Sequence, residues 1–251
     1  MKVRPYCYPY FQKQEIETQV NRMLDTEEIR PSTNAFSSLV LLVKKKDHTW
    51  RFCIDYRAFN TITVSDSFPI PTIDELLNEL GAVVWFSKLD LLQGYHHICM
   101  SPDDIHKMAF RMHDGHYEFC VLPFGLSNAS ATFQATMNEL FRPHLRKFII
   151  VFFNDILIYS TSWSDHLLHL ETTFQLVLNN QFHLKVSKCC FVLQHIEYLG
   201  HIVSVGSVGL DGSKIEAMIS WPTPRFVKDL KGFLGLPGFS SAIMHPWHHP
   251  S

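Results

Sequence analysis

Two apolar runs, residues 148–153 and 156–159, flank a single polar pair, Asn154-Asp155. Short runs rich in β-branched and aromatic side chains read as buried strands, and two of them around a polar pair read as a hairpin whose turn carries that pair. On its own such a hairpin is ordinary core. It becomes a chemical site when a further carboxylate closes an equally apolar strand elsewhere in the chain. Asp90 does so at the end of the strand pattern 83–91. A charge in that setting costs free energy unless it is paired or bound to a metal, although a strand-end aspartate is also a common turn former.

The remaining numbers narrow the class. At 251 residues the chain holds one or two domains with a sizeable core. With 46% hydrophobic and 18% charged residues, disorder is excluded. A net charge of −2 gives no global basic field. Contact with a polyanion therefore falls to the local cations Lys44-Lys45-Lys46, Arg51 and Arg57. The cysteines form no C-x-x-C pair and read as free thiols in a reducing compartment. The histidines show no H-E-x-x-H spacing. The N-terminus has no apolar leader pattern, and the 148–153 run is too short to span a bilayer. The expectation is no membrane contact and a cytoplasmic or nuclear location.

In chain order the patterning predicts a helix over 11–29 with Ile16, Val20, Met23 and Leu24 on one face, closed by Pro31-Ser32. A hairpin of strands 38–43 and 50–56 follows, with a basic tip. Thr72-Ile73-Asp74-Glu75 is a capping box opening a short helix to about Leu80. After strand 83–91, strands 107–112 and 117–122 surround the turn Asp114-Gly115. Asn128 is placed to cap a helix to about Phe141, with Phe133, Met137, Leu140 and Phe141 inward. A second long helix covers 164–180, with Leu167, Leu170, Phe174 and Val177 inward. Short strands are expected at 182–186, 191–192 and 198–203, and helices at 213–221 and 227–234. This order fits two long helices on one antiparallel sheet, an α+β architecture that gathers Asp90, Asn154 and Asp155 at one sheet edge. Two-metal phosphoryl transfer needs such an oxygen-rich cluster.

A long series of motifs resembles the reverse transcriptase domain of gypsy-type LTR retrotransposons, particularly plant elements. It includes Ile29-Arg30-Pro31-Ser32, Val43-Lys44-Lys45-Lys46-Asp47, Trp50-Arg51-Phe52-Cys53-Ile54-Asp55-Tyr56-Arg57 and Phe86-Ser87-Lys88-Leu89-Asp90-Leu91. It continues through Leu122-Pro123-Phe124-Gly125-Leu126, Ala131-Thr132-Phe133-Gln134, Glu197-Tyr198-Leu199-Gly200-His201 and Gly232-Phe233-Leu234-Gly235-Leu236. The resemblance spans about residues 3–239. It implies the fingers and palm of a right-hand polymerase with the beginning of a thumb. The implied boundaries are fingers over 1–65 and 98–128, palm over 66–97 and 129–205, thumb or connection over 206–239, and a tail foreign to the family over 240–251. It implies RNA-directed DNA polymerase activity on an RNA or DNA template with primer, using dNTPs and two Mg²⁺ ions.

Site roles follow from the same resemblance. Asp90, with the main-chain carbonyl of Leu91, and Asp155 match metal-binding positions, and Asn154 stands where the family has a further aspartate. Lys188 matches the lysine that protonates pyrophosphate. Arg51 with Lys45 and Lys46, and Tyr95, Phe124 and Gln134, match nucleotide-binding positions. Tyr198-Leu199-Gly200 matches the primer grip. Departures accompany Asn154: Leu92-Gln93 in place of Arg-Ser, Ser65 and Ser67 in place of cations, Met108, Ser130 and Leu39 at positions of different usage, and the tail. An amide at 154 brings one neutral oxygen and no charge. The expectation is a degenerate, truncated copy whose catalysis is impaired or lost. The alternative is a nucleic-acid-binding remnant or domesticated module without the chemistry.

Overall fold

A computed structural model describes residues 8–45, 48–77, 80, 83–210 and scattered positions between 212 and 229. The chain divides into two units, Met1–Phe68 with Gln93–Phe133, and Pro69–Leu92 with Gln134–Ser251. Each has a hydrophobic cluster of its own.

In the first unit, helix α1 (Tyr10–Asp25) buries Ile16, Val20 and Met23, the stripe its periodicity predicts. It ends earlier than position 29. Glu27 takes a left-handed φ of 56°. The Glu28 and Glu27 N–H groups then return to the carbonyls of Met23 and Leu24 at 2.9 and 3.1 Å. This is a Schellman closure without the usual glycine, and it frees Ile29 to open strand β1 (Ile29–Pro31).

Strands β2 (Ser38–Lys44) and β3 (Trp50–Asp55) form the expected hairpin, and the short helix α2 (Arg57–Asn60) follows. Later in this unit come α4 (Pro102–Ile105), β5 (Ala109–Arg111) and β6 (His116–Phe119). The sheet order is β1-β6-β5-β2-β3, antiparallel except for the β2–β5 pair, so this sheet is mixed. Glu118, only 3% exposed, ties the 30–34 segment to β6. Its carboxylate accepts from Arg30 Nε at 2.8 Å, Ser32 Oγ at 2.8 Å and Asn34 Nδ2 at 2.7 Å. Burial alone would push the Glu118 carboxyl up, but these three donors hold it below the usual carboxylate range.

The second unit begins with α3 (Ile73–Leu77), opened by the predicted capping box. Thr72 N–H donates to Glu75 Oε2 at 2.9 Å, and Glu75 N–H to Thr72 Oγ1 at 3.3 Å. Strands β4 (Trp85–Asp90), β7 (Ile149–Phe152), β8 (Asp155–Ser160) and β9 (Cys190–Leu193) build an antiparallel sheet in the order β7-β8-β4-β9. Helix α5 (Ala129–Phe141) crosses the division between the units at Phe133 and Gln134, and α6 (Trp163–Asn179) packs on β4 and β8. Asn128 does not simply cap α5: its carboxamide bridges to Val64 O and Asp66 N–H at 2.8 and 3.0 Å.

Strands β10 (His195–Tyr198), β11 (His201–Ser204) and β12 (Ser207–Leu210) form a separate antiparallel meander. The single strand expected over 198–203 is thus a hairpin. Its two loop residues, Leu199 and Gly200, both have positive φ (51° and 78°), the signature of a type I′ turn.

Alternation along β4 gives its two faces different partners. Phe86 packs with Leu157, Tyr159, Ile196 and Tyr198. Ser87 turns the other way, to His166 of α6. The inward face of α6 differs from the one predicted. His166, Leu170, Thr173 and Val177 are buried, while Leu167 and Phe174 lie on the exposed flank. Among the described residues no helix is long and apolar enough to cross a membrane. The expected helices at 213–221 and 227–234 rest mostly on residues outside those described, as does the 240–251 tail.

Candidate active site

The turn between β7 and β8 is Phe153-Asn154, because Phe152 and Asp155 are paired across the ladder. Asp155 is therefore the first residue of β8 and not, as the sequence suggested, part of the turn. Phe153 has a φ of 50°. A left-handed first loop position suits the twist of a tight hairpin but is unusual for an aromatic residue. Gln134 supports it: Oε1 accepts from Phe153 N–H at 2.8 Å, and Nε2 donates to Val151 O at 3.1 Å. Gln134 was expected in the nucleotide pocket. Its side chain is instead fully buried behind this turn and offers no surface to a ligand.

On its other side β8 pairs with β4, and Asp90 stands directly opposite Asp155. Two further backbone bonds fix the end of β4. Leu91 N–H donates to Asn154 O at 3.0 Å, and Lys185 N–H donates to Asp90 O at 2.8 Å. Leu91 itself is buried. The 3₁₀ turn Val186–Lys188 brings Lys188 Nζ to 3.3 Å from Asp90 Oδ2. Burial pushes the Asp155 carboxyl above the usual range; Lys88 pulls it down, Asp90 pushes it up, and Lys188 pulls it down. Lys88 was missed by the sequence reading. Its signal was there, since two positions before Asp90 on a strand means the same face.

Asn154 Oδ1 is buried and has no hydrogen-bond partner. A buried oxygen without a donor is costly unless something outside the protein satisfies it. Asp90 and Asp155, opposite each other across the ladder, and the Asn154 amide, next in the chain, supply oxygen donors of the kind that hard divalent cations prefer. Their oxygens suit such an ion, and among the described residues no group of three His, Cys, Asp or Glu side chains is placed to bind a metal.

The Tyr198 hydroxyl, fully buried, donates to Asp155 O at 3.1 Å. The turn Leu199-Gly200 is thereby anchored to the strand that carries Asp155. Behind the sheet a second brace was not foreseen. His166 Nε2 meets Ser87 Oγ of β4 at 2.8 Å, and its Nδ1 meets Ser160 Oγ of β8 at 2.9 Å. Ser87 Oγ also accepts from Val192 N–H at 2.9 Å, where β9 bulges and Val192 has a φ of 53°.

The other expected residues belong to the first unit. Tyr95, in the 3₁₀ turn Gly94–His97, stacks on Phe133 with centroids 4.5 Å apart and planes at 11°. Phe124 lies 4.5 Å from the same ring at 41° and is 44% exposed, so it gives this aromatic group an open edge. Arg51 on β3 and Lys45 just beyond β2 are exposed, and Lys45 N–H closes the loop on Thr49 O at 2.8 Å. Lys46 lies outside the described residues.

Comparison with known proteins follows the same lines. A family model described as reverse transcriptase (RNA-dependent DNA polymerase) matches residues 43–203. The retrovirus-related Pol polyprotein from transposon 297 of Drosophila melanogaster is 40% identical over 239 residues, 92% of this chain and 23% of the polyprotein. The corresponding protein from transposon opus of the same organism is 34% identical over 241 residues, 94% of this chain and 24% of the polyprotein. The chain thus spans about a quarter of the length of these curated relatives. Among solved structures, a foamy viral protease-reverse transcriptase in complex with double-stranded DNA aligns with a TM-score of 0.86 at 24% identity, covering 95% of this chain and 42% of that one. Another, in complex with an RNA/DNA hybrid, aligns at 0.83 and 24% identity, covering 95% and 32%. At that identity the likeness establishes the fold, the fingers and palm of a polymerase.

Proposed function

Because the chain belongs to the reverse transcriptase family, we propose that it is the polymerase domain of a retrotransposon Pol polyprotein, built to add dNTPs to a primer 3′-hydroxyl on an RNA or DNA template, with its chemistry weakened at Asn154. The first unit is assigned to the fingers and the second to the palm. The observation that carries the reading is the pairing of Asp90 with Asp155 beside the unpartnered Asn154 Oδ1.

Asp90, Asp155, Asn154 Oδ1 and the Leu91 carbonyl are the groups that would hold Mg²⁺. Bound there, the ion would lower the pKa of the primer hydroxyl and offset charge on the phosphates. The chain's own residues do the rest. Lys188 Nζ, an ammonium 3.3 Å from Asp90 Oδ2, holds a proton where a pyrophosphate would leave. The tilted Tyr95–Phe124 pair offers an apolar surface suited to a deoxyribose. Arg51 and Lys45 are exposed cations of the kind that a triphosphate attracts. Tyr198, through its bond to Asp155 O, couples the primer-grip turn to the metal-binding strand.

Asn154 removes one negative charge from this set. A unit charge about 4 Å from another is worth about 4 kcal/mol at an effective dielectric near 20, or roughly a thousandfold in rate if the loss falls on the transition state. Primer extension by this chain beside an Asn154→Asp version tests the reading, with a gain of roughly a hundred- to a thousandfold expected. Equal extension by the two proteins would count against any role for this substitution. The charge deficit also favours a second reading, a domain that binds primer–template without extending it. A gel shift that weakens steeply with salt, alongside absent extension, identifies that case.

A further inference from the structure

We propose that Lys188 is a built-in counter-ion of the metal site, that it competes with a divalent cation for Asp90, and that the site consequently takes a single cation. This rests on reading the Asp90–Asp155 cluster as the polymerase metal site.

Backbone geometry delivers Lys188 to its partner. Lys185 N–H is bonded to the carbonyl of Asp90 itself at 2.8 Å, and Lys188 N–H returns to Lys185 O at 2.8 Å. The turn that carries the lysine is thus fastened to the residue whose carboxylate it meets, 3.3 Å away. Lys88 adds a second cation on the same face of β4, one strand step from Asp90 and on the diagonal from Asp155. With position 154 neutral, two carboxylates face two ammonium groups, and the cluster balances without a metal. Three carboxylates in the same place would leave a net negative charge that only a bound cation could offset.

Exposure then decides which partner gives way. The Asp90 side chain is 15% exposed and Lys188 is 58% exposed. The lysine can swing into water at little cost, whereas the carboxylate stays. A cation entering at Asp90 displaces Lys188 from its carboxylate. The site therefore has one good position for an ion, and that position is contested.

Mn²⁺ binding, followed by electron paramagnetic resonance on the whole chain, tests this without any need for turnover. The unaltered protein is expected to bind one Mn²⁺. Lys188→Met, which keeps the aliphatic stem, is expected to tighten that binding about fivefold, the effect of losing an ion pair worth about 1 kcal/mol. Lys188→Arg is expected to bind like the unaltered protein. Asn154→Asp is expected to admit a second ion. Thermal melts with and without Mn²⁺ establish that each variant is folded and give an independent binding readout. Unchanged or weaker binding by Lys188→Met, with a second ion still gained by Asn154→Asp, overturns the competition and leaves the site assignment intact. Two ions in the unaltered protein overturn the single-cation claim. No binding by any folded variant at millimolar Mn²⁺ overturns the site assignment itself.

Discussion

Gln134 Oε1 accepts a hydrogen bond from the backbone N–H of Phe153 at 2.8 Å, reaching from α5 to the turn that carries Asn154. The same carboxamide donates to Val151 O, so one side chain satisfies both a donor and an acceptor of the hairpin. Replacing Gln134 by Met keeps the volume and removes both partners. Buried backbone groups left unpaired cost about 1–3 kcal/mol each. Gln134→Met is expected to lose about 2–4 kcal/mol of unfolding free energy in urea, with an unchanged denaturant slope. A loss below about 0.5 kcal/mol would mean that the turn holds itself without this brace.

His166 makes stability depend on pH. Burial, with a smaller contribution from His169, lowers its pKa from 6.5 to about 4. The folded state favours the neutral ring, so between these values the unfolded chain takes up a proton that the folded chain refuses. The stabilisation is fully present above pH 6.5 and declines as pH falls toward 4, by about 3 kcal/mol in total. Urea midpoints at pH 7 and pH 4.5 are expected to differ accordingly. His166→Gln is expected to start from a lower stability at pH 7 and to fall less between the two pH values. An equally steep fall in that variant would assign the acid sensitivity to other groups.

The orientation of α6 gives a paired test. Leu170 is 7% exposed and Leu167 is 48% exposed, one turn apart on the same helix. Leu170→Ala is expected to cost about 2–4 kcal/mol and Leu167→Ala less than about 1 kcal/mol. Equal costs, measured by thermal or chemical unfolding, would mean that Leu167 is covered in solution.

What could be read in advance followed from short-range chemistry. The capping box at Thr72 and Glu75, the β2–β3 hairpin and the apolar strands around Asn154 all carry their signals within a few residues. The adjacency of Asp90 to the hairpin carried no local signal; it followed from the order of elements, which makes β4 and β8 neighbours. The failures lie where a polar contact outranked hydrophobic periodicity. Helix α6 has apolar residues on two adjoining flanks. Which flank turns inward is decided by His166 meeting Ser87 and Ser160, with residues far apart in sequence. Gln134 belonged to a familiar motif, yet its depth depends on packing that the motif does not reveal. The anchoring of Glu118 by Arg30, Ser32 and Asn34 spans more than eighty positions and has no local trace.

The contact between Asn154 O and Leu91 N–H uses only the main chain. So does the pairing of Phe152 with Asp155 that closes the turn. Neither depends on which side chain stands at position 154, and asparagine and aspartate are the same size. The backbone therefore holds the same shape of the site with either side chain. Codons for these two amino acids differ only in their first base, so a single transition in the DNA separates this hairpin from one with adjacent acidic residues. Drift across that step would leave no scar in the architecture, and neither would reversion.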